Sequence, residues 1–208
     1  MLTYYYSRNS SALAAHILLE DAGADYTAVE VSIARGEHLS AEALRRNPKG
    51  RIPVLETPEG TITENPAILE YIADIHPAAA LKPEGAFELA KARSLCAYLC
   101  ATAHVAFAHR HRGARWADTE AAHKDMQSKV ASNLKDYAAV LEAHLPPGPW
   151  AMGEAYSFCD PYLFLFHRWM DAAGADRSAC PRLCAHDVAM KERPSVQRVL
   201  QLHAGDTR

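Results

Sequence analysis

The chain has 208 residues, 49% of them hydrophobic and 23% charged, with a formal net charge of −3. That is the make-up of a globular protein with a real core, folded as one domain or two small ones. It leaves no electrostatic case for nucleic acid or anionic lipid as a partner, and no apolar run approaches a membrane span.

In chain order, residues 2–6 ("LTYYY") read as a strand and 12–22 ("ALAAHILLEDA") as a helix ending near Gly23. Residues 26–32 alternate as a strand, and 40–46 form a short helix before Asn47-Pro48. Strands at 53–56 and 61–63 are joined by "TPEG", where Pro58 presets the turn and Gly60 closes it. A helix from 66 to about 75 stops before Pro77. The order βαβ-α-ββα over residues 1–77 is that of a thioredoxin-like domain. Residues 78–85 read as a linker and 86–208 as helical throughout, so the fold class is α/β plus all-α.

Within the helical part, the first long helix covers 87–112 and the second 118–145. Apolar positions of the first fall on two stripes, one through Leu95, Leu99 and Val105 and one through Cys96, Cys100, His104 and Phe107. The basic knot His109–Arg115 reads as solvated charge at a helix end. After "PPGPW", Ser157-x-x-Asp160 reads as a capping box ahead of "PYLFLFHRWM", with both residues as structural caps. Pro181 and Pro194 open two short terminal helices.

Five cysteines, odd in number and scattered, fit reduced thiols in a cytoplasm, and the N-terminus has no signal-peptide pattern. Cys96, Cys100 and His104 recur at a spacing of four, as do Cys180 and Cys184. A metal needs ligands converging from more than one segment, so these read as packing residues and no metal is expected.

The block "NPKGRIPVLETPEGTITENPAILEYIAD" (47–74) places a proline inside the apolar run Ile52–Leu55 and then an acidic residue and Asn-Pro at a helix start. Together with the "SFCD" box and the two-part layout, it resembles the cytosolic glutathione transferases over essentially the whole chain. The bacterial beta-class branch is the most similar, through "ALAAHI" and a His in the first long helix. The resemblance implies a cis Ile52–Pro53 bond that lets the backbone of Val54 pair with glutathione as an added strand. It implies that Glu64 takes the γ-glutamyl ammonium. Asn65 as N-cap, with Pro66 first in the helix, leaves backbone N–H groups facing the carboxylate. Most members carry Ser or Thr where Asn65 stands. Arg35, His38 and Lys49–Arg51 become candidates for the glycyl carboxylate, with solvated loop charge as the alternative.

The chemistry implied is conjugation of the glutathione thiolate to a small hydrophobic electrophile held by the helical domain. Glutathione is co-substrate, no other cofactor is called for, and the resemblance adds a homodimer. Beta-class members have a cysteine where Ser11 stands, and this chain has none before residue 96. The site is therefore expected to be of serine type, with Ser11 on the thiolate and Ser10 or Asn9 as alternatives. A plain pair of capping serines is the structural reading. His104 matches a functional histidine of that branch, with Ala103 in place of its acidic neighbour; a core histidine is the alternative. Two rivals stand beside this. A glutathione-dependent peroxidase or reductase is disfavoured by the missing cysteine. A non-catalytic interaction protein is disfavoured by Glu64 and the Ile52-Pro53-Val54 unit.

Overall fold

A computed structural model describes residues 1–204, which form two compact units. The first is Met1–Lys82 joined by the C-terminal segment from Lys191, and the second is Pro83–Met190.

The first unit is built on a four-stranded sheet, β1 (Leu2–Tyr6), β2 (Tyr26–Glu30), β3 (Val54–Thr57) and β4 (Gly60–Thr63), in the order β2-β1-β3-β4. β1 runs parallel to β2 and antiparallel to β3, which forms a hairpin with β4. The central strand β1 buries Leu2, Tyr4 and Tyr6 and leaves Thr3 and Tyr5 half-buried, the period of two expected of a pleated strand. β2 stops at Glu30, short of the expected 32, although Val31 N–H still donates to Tyr6 C=O at 2.7 Å. In the hairpin turn the Thr57 hydroxyl accepts from Glu59 and Gly60 N–H, so the side chain before the proline ties the loop.

Helix α1 (Leu13–Asp21) is buried from Leu13 to Leu19 without a polar stripe, because it is covered on every side. It packs on the sheet, on α3 (Asn65–Ile75) and on α9 (Pro194–Ala204). The α1–α9 contact buries Val196 and Val199 and is bordered by ion pairs, Arg193–Asp21 at 2.7 Å and Arg198–Glu20 at 2.9 Å. The short helix α2 (Ala41–Arg46) is capped by Ser40, whose hydroxyl accepts from Ala43 N–H.

The second unit is helical. α4 (Ala86–Tyr98), a π-helical turn at Leu99–Ala103, and α5 (His104–Ala108) follow one another without a break. Their buried face is Ala92, Cys96, Leu99, Ala103 and Ala106, while Val105, expected inside, is 37% exposed. This helix ends at Ala108 and not at 112: the "HRHR" run leaves it in turns and a single 3-10 turn, Gly113–Arg115. α6 (Glu120–His144) starts at Thr119, whose hydroxyl accepts from Ala122 N–H at 3.2 Å. α7 (Asp160–Ala173) is buried from Asp160 to His167 and ends on Gly174 in the left-handed region, φ 65°. α8 (Pro181–Glu192) and α9 both open on prolines, as the sequence suggests.

Candidate functional site

Three element starts meet in the first unit. The loop after β1 carries Asn9, at φ 53°, then Ser10 and Ser11, and α1 begins at Leu13 with Ala12 in the cap position. Neither serine caps the helix. Ser10 is consumed locally: its hydroxyl donates to Ser7 C=O at 2.7 Å and accepts from Ala12 N–H at 3.2 Å. Ser11 is half-buried, and its hydroxyl makes no hydrogen bond among the described residues. Its carbonyl accepts from Asn65 Nδ2 at 2.8 Å, which ties this loop to the start of α3.

At that start the cap position falls on Glu64, one residue earlier than the sequence reading. Glu64 C=O takes the helical bond from Ile68 N–H, and Asn65 and Pro66 are the first two helical residues. Asn65 therefore does not cap. Its Nδ2 is committed to Ser11, which turns Oδ1 into the acceptor end; that oxygen is buried and partnerless among the described residues. Glu64 itself sits at φ 75°, ψ 125°, a conformation that strains any residue with a Cβ. Its carboxylate meets Lys49 Nζ at 2.5 Å, and Lys49 also donates to Thr63 Oγ1 at 2.6 Å. Lys49, a candidate for the glycyl carboxylate in the sequence reading, is thus engaged by Glu64 and Thr63.

The Ile52–Pro53 peptide is cis. Val54 is buried and faces Tyr5 of β1 on one side and Thr63 of β4 on the other. β3 is thus an interior strand, and its first residue, Val54, already has a strand partner on each side. Arg35 is exposed and pairs with Glu37 at 2.9 Å. His38 lies on a one-turn 3-10 helix, with Nδ1 buried and unpartnered among the described residues. That turn packs on Gly50, at φ 58°, where a Cβ would come 2.7 Å from Leu39 Cδ2. Tyr5 and Tyr6 are engaged elsewhere: Tyr5 donates to Glu56 at 2.8 Å, and the Tyr6 ring lies tilted against His16 with centroids 4.8 Å apart.

His104 belongs to the second unit. Its ring lies over Trp169 at 4.7 Å and 21°, and Phe107 stacks on the same indole at 5.6 Å and 17°. Trp169 is buried, while His104 and Phe107 are half-exposed, so the three form an aromatic face that carries one imidazole. Trp169 lies on a helix buried on nearly every side, so its residue type and spacing give no sign of the stack. Ser157 and Asp160 cap as expected in one direction only. Asp160 Oδ2 accepts from Ser157 N–H at 2.7 Å and from Ser157 Oγ at 3.0 Å. The reciprocal bond is absent from its usual place: Asp160 N–H donates to Ser157 C=O, while the Ser157 hydroxyl accepts from Cys159 N–H. Asp160 Oδ1 further accepts from Ala151 N–H at 2.6 Å and meets His186 Nε2 at 3.1 Å.

Among the described residues, no three His, Cys, Asp or Glu side chains are grouped to hold a metal, and no helix is long and apolar enough to cross a membrane. Cys96 faces Cys159, with sulfurs 3.7 Å apart, and both are buried.

The sequence profile of the glutathione S-transferase N-terminal domain matches residues 1–74. Glutathione S-transferase GST-4.5 of Xanthomonas campestris is 29% identical over 198 residues, spanning 95% of this chain and 96% of that protein. Maleylacetoacetate isomerase of Pseudomonas aeruginosa is 34% identical over 192 residues, 88% and 87% of the two chains. A glutathione transferase homologue from Sulfitobacter, solved with bound glutathione, is 37% identical with a TM-score of 0.92 over 96% of each chain.

Proposed function

Because the chain belongs to the glutathione S-transferase family, we propose that it binds glutathione between Ser11 and the start of α3 and uses the thiolate to attack a small hydrophobic electrophile. One observation carries this reading. Asn65, the residue after Glu64, holds a buried acceptor oxygen that is partnerless among the described residues, and the same side chain anchors the loop that carries Ser11. An ammonium suits that oxygen and the Glu64 carboxylate, and a carboxylate suits the free N–H groups and dipole at the start of an 11-residue helix. A γ-glutamyl group has both charges on one carbon.

The thiol needs ionising, because the thiolate is the nucleophile. Lowering a thiol of pKa about 8.5 by about 2 units takes about 2.7 kcal/mol. One hydrogen bond to a charged acceptor supplies about 1.5–3 kcal/mol. Ser11 has a hydroxyl to give, whereas Ser10 has already committed its own to Ser7. The sulfur then bonds to the electrophilic carbon and the leaving group departs with its electron pair. On a conjugated double bond, addition and re-elimination of the same thiolate would isomerise it. The P. aeruginosa relative is named for such a reaction. Within the second unit, the aromatic face of His104, Phe107 and Trp169 offers a flat ring a surface to stack on. The reading takes glutathione as co-substrate with no further cofactor, in a cytoplasmic homodimer.

Ultraviolet titration of the glutathione complex tests it. The bound thiol should ionise well below the free value, Ser11→Ala should return it most of the way, and kcat/KM should drop by about 10–100-fold. Ser10→Ala should leave the thiol pKa in place. A panel of aryl halides, epoxides, hydroperoxides and cis-enoic acids then separates conjugation, peroxide reduction and isomerisation. A Ser10→Ala/Ser11→Ala double variant at full rate would sink the serine-type site, and absence of glutathione binding would leave the interaction-protein rival.

A further inference from the structure

Helix α9 is held on α1 by an unusual contact: His16 Nδ1 and His203 Nε2 share a hydrogen bond of 3.0 Å, with the rings 0% and 3% exposed. Around His16 stand Tyr4 and Tyr6 of β1, with ring centroids at 5.4 and 4.8 Å, and Tyr26 of β2 at 5.8 Å. Two carboxylates of α1 at this contact, Glu20 and Asp21, have other partners. Glu20 of α1 accepts from the Tyr26 hydroxyl at 2.6 Å and from Arg198 of α9 at 2.9 Å. Asp21 accepts from Arg193 Nη2 at 2.7 Å and from Ser195 Oγ at 2.6 Å. His16 touches no carboxylate among the described residues. His186 in the second unit differs in this, since it touches Asp160.

A bond between two imidazole nitrogens needs one of them bare. We propose that the His16–His203 contact is an acid-sensitive latch: it holds α9 on the first unit while one facing nitrogen lacks a hydrogen, and lets the helix go when both carry one. The contact is independent of any reading of the glutathione site.

Burial pushes the His16 pKa down to about 4 while α9 is docked; once released, the ring returns to about 6.5. The released form therefore binds more protons between those values. Docking is at full strength above about pH 7 and weakens as pH falls from about 6.5 to about 4. The ion pairs do not give way in the same window. Burial works against the Glu20 carboxylate, but its bonds from Tyr26 and Arg198 prevail and keep its pKa below the ordinary value.

Hydrogen exchange of the full chain, corrected for intrinsic rates, decides the matter. Between pH 7 and 4.5, protection of α9 (194–204) should fall by about 50–100-fold, against less than about threefold for α3 (65–75). The paired replacement His16→Phe with His203→Leu, which cannot titrate, should abolish the difference. If that variant does not fold, ring resonances of the unaltered protein serve instead: the His16 imidazole should remain neutral down to about pH 5. Equal loss in both helices, a drop that survives in the variant, or protonation of His16 near pH 6.5 with α9 still protected would each overturn the latch.

Discussion

Asp160→Ala should lower the stability of the protein by about 3–5 kcal/mol, the largest effect expected of any single substitution considered. The carboxylate is 0% exposed and takes four donors: Ala151 N–H, Ser157 N–H, the Ser157 hydroxyl and His186 Nε2. Truncation strands two backbone N–H groups and His186 Nε2, each of which loses its partner without gaining water, while His186 Nδ1 keeps His167. Asp160→Asn should cost somewhat less, about 2–4 kcal/mol, because its carbonyl still serves one pair of donors while its NH2 confronts the other. Urea titration followed by fluorescence reads this directly. Affinity for glutathione, measured where each variant is still folded, should be nearly unchanged. A loss under about 1 kcal/mol would mean that the loop 150–157 finds other acceptors.

At Glu64 two variants separate affinity from stability. Glu64→Ala should weaken glutathione binding by about 1.5–3 kcal/mol, as the ammonium loses a charged acceptor, and should leave thermal stability nearly alone. The Lys49 pair that is lost is half-exposed and contributes little. Glu64→Gly should lose the same affinity yet gain about 1 kcal/mol of stability, because φ 75° is open to glycine and strained for glutamate. Calorimetry and urea titration on the same two proteins separate the two quantities. Unchanged affinity in both would place the ammonium elsewhere. Unchanged stability in the glycine variant would mean the backbone relaxes around Glu64.

Much of the element order was legible because the chain switches period openly and punctuates itself with proline. Pro77 ends the helix before it, and Pro181 and Pro194 open theirs. What escaped was of another kind. Cap preference favoured Asn over Glu, but at the start of α3 the cap is decided by a positive φ that residue type does not advertise. The partners of Asp160 include Ala151 and His186, which only the folded chain brings to one carboxylate. The packing of α9 on α1 joins His16 to a residue 187 positions away, beyond the reach of any periodicity. The sequence reading already puts Ser11 ahead of Ser10; the bond from the Ser10 hydroxyl to Ser7 C=O, which residue type does not announce, adds a physical contrast between them.

The π-helical turn at Leu99–Ala103 bears on how chain length can vary near His104. Such a turn closes its hydrogen bonds one residue later than an α-helical turn, so it stores one surplus residue while the rods on either side keep their facing. Ala101 is exposed on it. Deleting Ala101 should let 86–108 close up as ordinary α-helix, with His104 and Phe107 still lying on Trp169. A one-residue insertion at the same place has no such store to draw on and would swing both rings about the helix axis by roughly 100°. Relatives that differ by a single residue here can therefore share one aromatic face, and an alignment that forbids a gap at this point would pair the wrong side chains.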